Sequence, residues 1–166
     1  MRPGSFIYHS HLDDINQLCR GLYGPLIVMG ENETYDPKTD HFYIVGWKND
    51  DPLTLKELDL NGSFEQPLQY AHTGEAHRLR LMNIAPAGTI KISVLKDGKP
   101  VLIKFIAKDG IDIPALQQTS VKESEKYGVG ETADFAFKPL KAGNYTLQVK
   151  TNVVDEYWTQ QWVVTD

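Results

Sequence analysis

The sequence predicts an all-β sandwich or barrel, and three features predict it. Short apolar and aromatic runs recur along most of the 166 residues. Turn-forming pairs such as Asn61-Gly62, Thr73-Gly74, Asp97-Gly98 and Asp109-Gly110 separate them. No segment carries a convincing helical period, which argues against a helix bundle or an alternating βα pattern. At 41% hydrophobic and 23% charged residues, the composition is that of an ordinary globular protein with a real core.

Taken in order, residues 5–11 read as a strand. Phe6 and Tyr8 share one face, and Ser5, Ile7, His9 and His11 share the other. Residues 12–20 are more polar, and Asp13 or Asp14 can N-cap a short helical turn containing Ile15, Leu18 and Cys19. Gly21 and Gly24 bracket a bend, and 25–29 is a buried strand with Pro25 at its start. Residues 31–40 are polar, include Asn32 and Pro37, and form the best linker candidate. At His41 an aromatic run to Trp47 starts the chain again.

Further strands are expected at 53–60, 67–71, 76–85, 89–95, 101–108, 115–121, 132–137, 145–151 and 158–164. Lys96-Asp97-Gly98-Lys99-Pro100, between two alternating apolar runs, is a strong hairpin signal. Gly143-Asn144-Tyr145 has the form of the tyrosine corner of Greek-key sandwiches. The expected organisation is three segments: terminal strands in 1–30, a linker in 31–40 and the main sandwich in 41–166.

Charge and composition narrow the function. The formal net charge of -5 and the lack of a Lys/Arg cluster argue against a nucleic-acid surface. No apolar run is long enough to span a bilayer, so no membrane partner is expected. A single cysteine, Cys19, rules out a disulfide framework within the chain and is expected to be a structural or free thiol. Met1 is followed directly by Arg2-Pro3-Gly4 and a strand, so no export signal is expected in this chain.

His9 and His11 are the candidate metal ligands. Two histidines at i and i+2 share one face of a strand, with Cβ atoms roughly 6.5–7 Å apart at about 3.3 Å of rise per residue. Side-by-side imidazoles suit two neighbouring metal ions, or two sites on one cluster, and histidine is the commonest metal ligand. Asp13 and Asp14 either cap the following turn or place a carboxylate where it could orient a ligating imidazole or relay protons. His41, His72 and His77 lie far from the pair in sequence and read as satisfied or solvent-facing side chains. Lys108-Asp109-Gly110-Ile111-Asp112 lacks the further oxygens of a calcium loop and reads as a turn. Trp47, Trp158 and Trp162 read as core or interface aromatics.

The block Gly4-Ser5-Phe6-Ile7-Tyr8-His9-Ser10-His11, then Gln17-Leu18, then Gly21-Leu22-Tyr23-Gly24-Pro25-Leu26-Ile27-Val28, resembles the end of the first copper-binding cupredoxin domain of multicopper oxidases. Ala76-His77-Arg78-Leu79-Arg80-Leu81-Met82-Asn83 and Gly130-Glu131-Thr132-Ala133-Asp134-Phe135 resemble the cupredoxin-like domain that follows in laccase-like members of that family. The resemblance implies a cupredoxin-like Greek-key β-sandwich, with 1–30 as terminal strands of a copper-binding domain and 41–166 as the next domain. It implies that His9 and His11 are ligands of the type 3 copper pair, one to each ion. Imidazole suits copper in either oxidation state.

The activity implied for the parent is copper-dependent oxidation of a reducing substrate, coupled to reduction of dioxygen to water. This chain matches two of the eight histidines of such a centre and lacks the cysteine-containing type 1 block, so it is not expected to be catalytic alone. The competing expectation is a non-catalytic β-sandwich that binds a partner or assembles with itself, since unpaired strand edges invite augmentation. Expected partners are copper ions and either the missing part of the parent oxidase or another copy of the chain. The resemblance places the parent in the periplasm or outside the cell.

Overall fold

The computed structural model describes residues 2–47, 58–153 and 157–166. In chain order the elements are β1 (Gly4–His9), α1 (Asp14–Cys19), β2 (Tyr23–Val28), β3 (Asp40–Trp47), β4 (Leu58–Leu60), β5 (Gln69–His72), β6 (His77–Asn83) and β7 (Ile90–Lys96). They continue as β8 (Lys99–Pro100), β9 (Ile103–Lys108), β10 (Ile111–Asp112), β11 (Thr119–Val121), β12 (Thr132–Phe137), β13 (Gly143–Thr151) and β14 (Tyr157–Thr165). One sheet runs β10-β9-β12-β6-β3-β4, with β11 also paired to β9. The facing sheet runs β5-β14-β13-β7-β8. The pairing β3–β6 is parallel, as is β5–β14. This is the all-β Greek-key sandwich expected from the sequence.

Period-2 burial builds the core. On β13, Tyr145, Leu147 and Val149 point inward, and on β14 Trp158, Trp162 and Val164 do the same. They meet Tyr43, Val45, Leu79, Leu81, Phe135 and Phe137 from the other sheet, with Phe137 edge-on to Trp162 at 5.8 Å between ring centres. Asp97 and Gly98 both take positive φ, 50° and 72°, as a two-residue hairpin between β7 and β8 requires. The Tyr145 hydroxyl donates to the Lys141 carbonyl at 2.8 Å, the hydrogen bond of a tyrosine corner.

Two expected strands differ. Residues 115–121 hold a 3-10 turn, Ala115–Gln117, before the short β11, because Pro114 opens the segment with φ -51° and lacks an N–H for the ladder. Of the strand expected at 53–60, Leu58–Leu60 forms, and residues 53–57 lie outside the described residues.

β1 and β2 form a separate antiparallel ribbon, with α1 in their connection. It lies on the outer face of the β3–β6 sheet. There Ile7, Leu18, Tyr23 and Ile27 pack with Phe42, Ile44, Met82 and Ile84 in a second apolar cluster. This explains the unbroken apolar run of β3, since both faces of that strand are covered. The ribbon sits close because glycines make room for it. A Cβ at Gly46 would fall 1.8 Å from the Tyr23 hydroxyl, and one at Gly4 would fall 2.4 Å from the Gly110 carbonyl oxygen. Burial and the nearby Asp59 carboxylate push the Tyr23 phenol up. Gly46→Ala should therefore displace Tyr23 and cost about 1–3 kcal/mol of stability by overpacking. Urea unfolding checks this, and an unchanged midpoint would contradict the packing described.

Candidate metal centre

The strand expected to carry both histidines ends at His9. The Ser10 N–H donates to the Leu22 carbonyl at 3.2 Å, and the Ser10 hydroxyl bonds to Gln17 in α1, turning the chain away. His11 thus lies in the bend after β1, not on the strand as expected. The rings nevertheless stand together, with centres 4.6 Å apart and planes at 41°. His9 is half-buried and His11 exposed. In register, His9 pairs across the ribbon with Tyr23.

The tautomer of His9 follows from its partner. Its Nδ1 is 2.8 Å from the Ser10 carbonyl oxygen, which can only accept, so Nδ1 carries a proton and, in the neutral ring, the lone pair is on Nε2. Ring N–H to backbone carbonyl is the arrangement that orients a metal-ligating histidine. The two imidazoles offer donor chemistry that suits copper. They do not fit a closed site, because among the described residues no group of three or more His, Cys, Asp or Glu could hold a metal ion.

The remaining candidates are placed elsewhere. Asp13 is the N-cap of α1 but makes no side-chain cap bond, and its carboxylate accepts from Asn16 Nδ2 at 3.0 and 3.1 Å. Cys19 is a buried free thiol, pushed up by its burial. Asp109 and Gly110 form a positive-φ turn, and Asp112 pairs with Arg78 at 3.0 Å. Asp109 also lines, with Ile7, His9, Ile84 and Thr132, the groove along the inner side of β1.

Sequence reasoning missed the buried ion network under the ribbon. Arg80, 3% exposed, sends Nε and Nη2 to the two oxygens of Asp40 at 2.5 and 2.6 Å, and Nη1 to Asp134 Oδ2 at 3.2 Å. Arg78 reaches the same Asp134 oxygen at 2.6 Å. Ser5 completes the group, donating to Asp134 Oδ2 and accepting from Arg80 Nη1, each at 2.8 Å. Burial pushes the Asp134 carboxyl up against the pull of both arginines. The alternation Arg78-Leu79-Arg80 held the signal, since two arginines facing away from the core on a central strand need partners there.

It also missed a buried histidine pair. His41 Nε2 and His77 Nδ1 are 3.2 Å apart, and both rings sit edge-on to Trp162. His77 Nε2 is 3.4 Å from Glu75 Oε2, without hydrogen-bond geometry. The parallel register places His41 opposite Leu79 and Asp40 opposite Arg78, beside His77, a juxtaposition invisible at 36 residues of separation.

No protein-family model matches the chain, and no curated protein matches it. Solved structures do. McoA multicopper oxidase from the hyperthermophile Aquifex aeolicus superposes with a TM-score of 0.79 at 18% identity, covering 99% of this chain and 42% of that one. The Nitrosomonas europaea blue copper oxidase gives 0.74 at 19% identity, covering 99% and 57%. The copper nitrite reductase of the same organism gives 0.72 at 17%, covering 99% and 63%. The fold is the cupredoxin-like sandwich of the multicopper oxidases. The chain spans between 34% and 63% of the lengths of these and other matched copper proteins.

The cupredoxin-like core carries a pH dependence of its own. Burial, then the neighbouring His77, lowers His41 from 6.5 to about 4, and burial lowers His77 as well. Both rings are neutral when folded, whereas an unfolded histidine takes its proton near pH 6.5. The resulting stability is fully present above about pH 6.5 and is lost as pH falls towards 4. The His41 share of that loss is on the order of 2–3 kcal/mol. Urea midpoints at pH 7 and pH 4.5 should show it, and His41→Gln should flatten the slope.

Proposed function

We propose that the chain is part of a multicopper oxidase, and that His9 and His11 supply two of the ligands of its type 3 copper pair. In this reading residues 1–30 are terminal strands of a copper-binding cupredoxin domain. Residues 31–40 are the linker, and 41–166 form the adjoining domain without a copper site of its own. The observation that carries the reading is the pair itself: adjacent imidazoles, with His9 oriented through Nδ1 so that Nε2 is available. The separate ribbon, paired within itself and seated on the outside of the sandwich, supports the division.

Copper bound there would supply the one-electron chemistry that couples oxidation of a reducing substrate to reduction of dioxygen to water. The chain's own residues hold position. Ser10 fixes the His9 tautomer through its carbonyl, and Gln17 and Leu22 hold the bend that brings His11 alongside. With two ligands and no type 1 site, the chain does not turn over alone. The whole protein, by the same resemblance, works in the periplasm or outside the cell.

A second reading, a binding or assembly module, is favoured by one observation. Tyr8, Leu12, Leu22 and Leu26 are exposed on the ribbon and its loops, at 55, 91, 52 and 42%. Copper(II) titration followed by electron paramagnetic resonance separates the two. The oxidase reading predicts a nitrogen-coordinated copper signal that disappears in His9→Ala/His11→Ala, with no oxygen uptake by either protein. The same signal in both proteins would overturn it. Self-association without such a signal would favour the module.

A further inference from the structure

We propose that Ser5 is a positioning residue for the His9–His11 pair: its hydroxyl, held between Asp134 and Arg80, sets how β1 lies on the sandwich and so where the imidazoles face. The proposal rests on the copper reading of that pair. Ser5, Ile7 and His9 alternate onto the same face of β1, the face turned to the sandwich. At the start of the strand, Ser5 is 1% exposed and its hydroxyl is fully used, donating to Asp134 Oδ2 and accepting from Arg80 Nη1. Its carbonyl accepts from Thr132 Oγ1 at 3.0 Å.

Every charged member of this network belongs to the sandwich: Asp40 on β3, Arg78 and Arg80 on β6, Asp112 on β10 and Asp134 on β12. Ser5 is the ribbon's contribution. The contact of Gly4 with the Gly110 backbone limits sliding at the same point. At 3.3 Å per residue, His9 lies about 13 Å along the strand from Ser5. A tilt of about 5° at Ser5 then moves His9 by roughly 1 Å, whereas metal–ligand distances tolerate only about 0.2 Å. Removing the hydroxyl also leaves a buried carboxylate without one donor and a buried guanidinium without one acceptor, which drives such a shift.

The test compares Ser5→Ala and Ser5→Thr with the unaltered chain, using copper(II) as the probe and amide exchange of the metal-free protein as an independent readout. Ser5→Ala should weaken copper(II) binding at His9 and His11 by about tenfold or more and change its paramagnetic spectrum. It should speed exchange in residues 5–11 while β13 stays protected, and Ser5→Thr, which keeps the hydroxyl, should restore both. Thr132→Val removes only the bond to the Ser5 carbonyl and should act in the same direction more weakly, even if Ser5→Ala fails to fold. Unchanged spectrum, affinity and ribbon exchange in Ser5→Ala would overturn the proposal, as would Ser5→Thr behaving like Ser5→Ala. If the unaltered chain binds copper no differently from His9→Ala/His11→Ala, the metal reading falls. The exchange rates of metal-free Ser5→Ala then still decide whether Ser5 places the ribbon.

Discussion

Arg80 is the residue on which the arrangement depends. Its guanidinium forks onto Asp40 and reaches Asp134 and Ser5, tying β3, β6, β12 and the ribbon at one buried point. Three carboxylates and two guanidiniums sit in this network, two of the carboxylates largely out of water. Such a group adds little net stability over an apolar replacement, but breaking it leaves uncompensated buried charge at a cost of about 3–5 kcal/mol. Its contribution is one of geometry. An apolar interface lets a ribbon slide, while a fork with fixed donor directions specifies one seat.

The ribbon's seat explains the pattern of β3 and β6. Tyr43 and Val45 belong to the core between the sheets, and Ile44 and Met82 belong to the cluster under the ribbon. Both sides of the central strands are largely covered, so the polar groups on the outer face pair with one another under the ribbon instead of facing water. Gly46 allows Tyr23 to approach this surface, and its phenol is buried with Asp59 nearby.

Much of this was legible in the sequence, and the rest had a physical reason for staying hidden. Alternating burial on β13 and β14, the Asp97-Gly98 hairpin and the Tyr145 corner are local, and local patterns survive in a linear sequence. The histidine pair was legible by spacing, although the bend after His9 was not, because it depends on Gln17 in α1 and Leu22 in the loop that follows it. The ion network and the His41–His77 contact join residues 34 or more apart through strands that are neighbours only in the folded sheet, and no local period records them. Residues 115–121 were misread because the apolar Ala115 and Leu116 look strand-like, while Pro114 turns them into a 3-10 step.

On the proposed reading, the histidine pair is one portion of a metal site carried by a ribbon that is seated on the sandwich. Because Ser5 and Arg80 tie the ribbon to the sandwich, the two should behave as one body. Native-state amide exchange measured at increasing urea tests it most directly, by comparing Phe6 and Tyr8 on β1 with Phe135 on β12. The β1 amides should exchange through the same global unfolding as β12. A separate opening of β1 at much lower free energy, with β12 still closed, would contradict it.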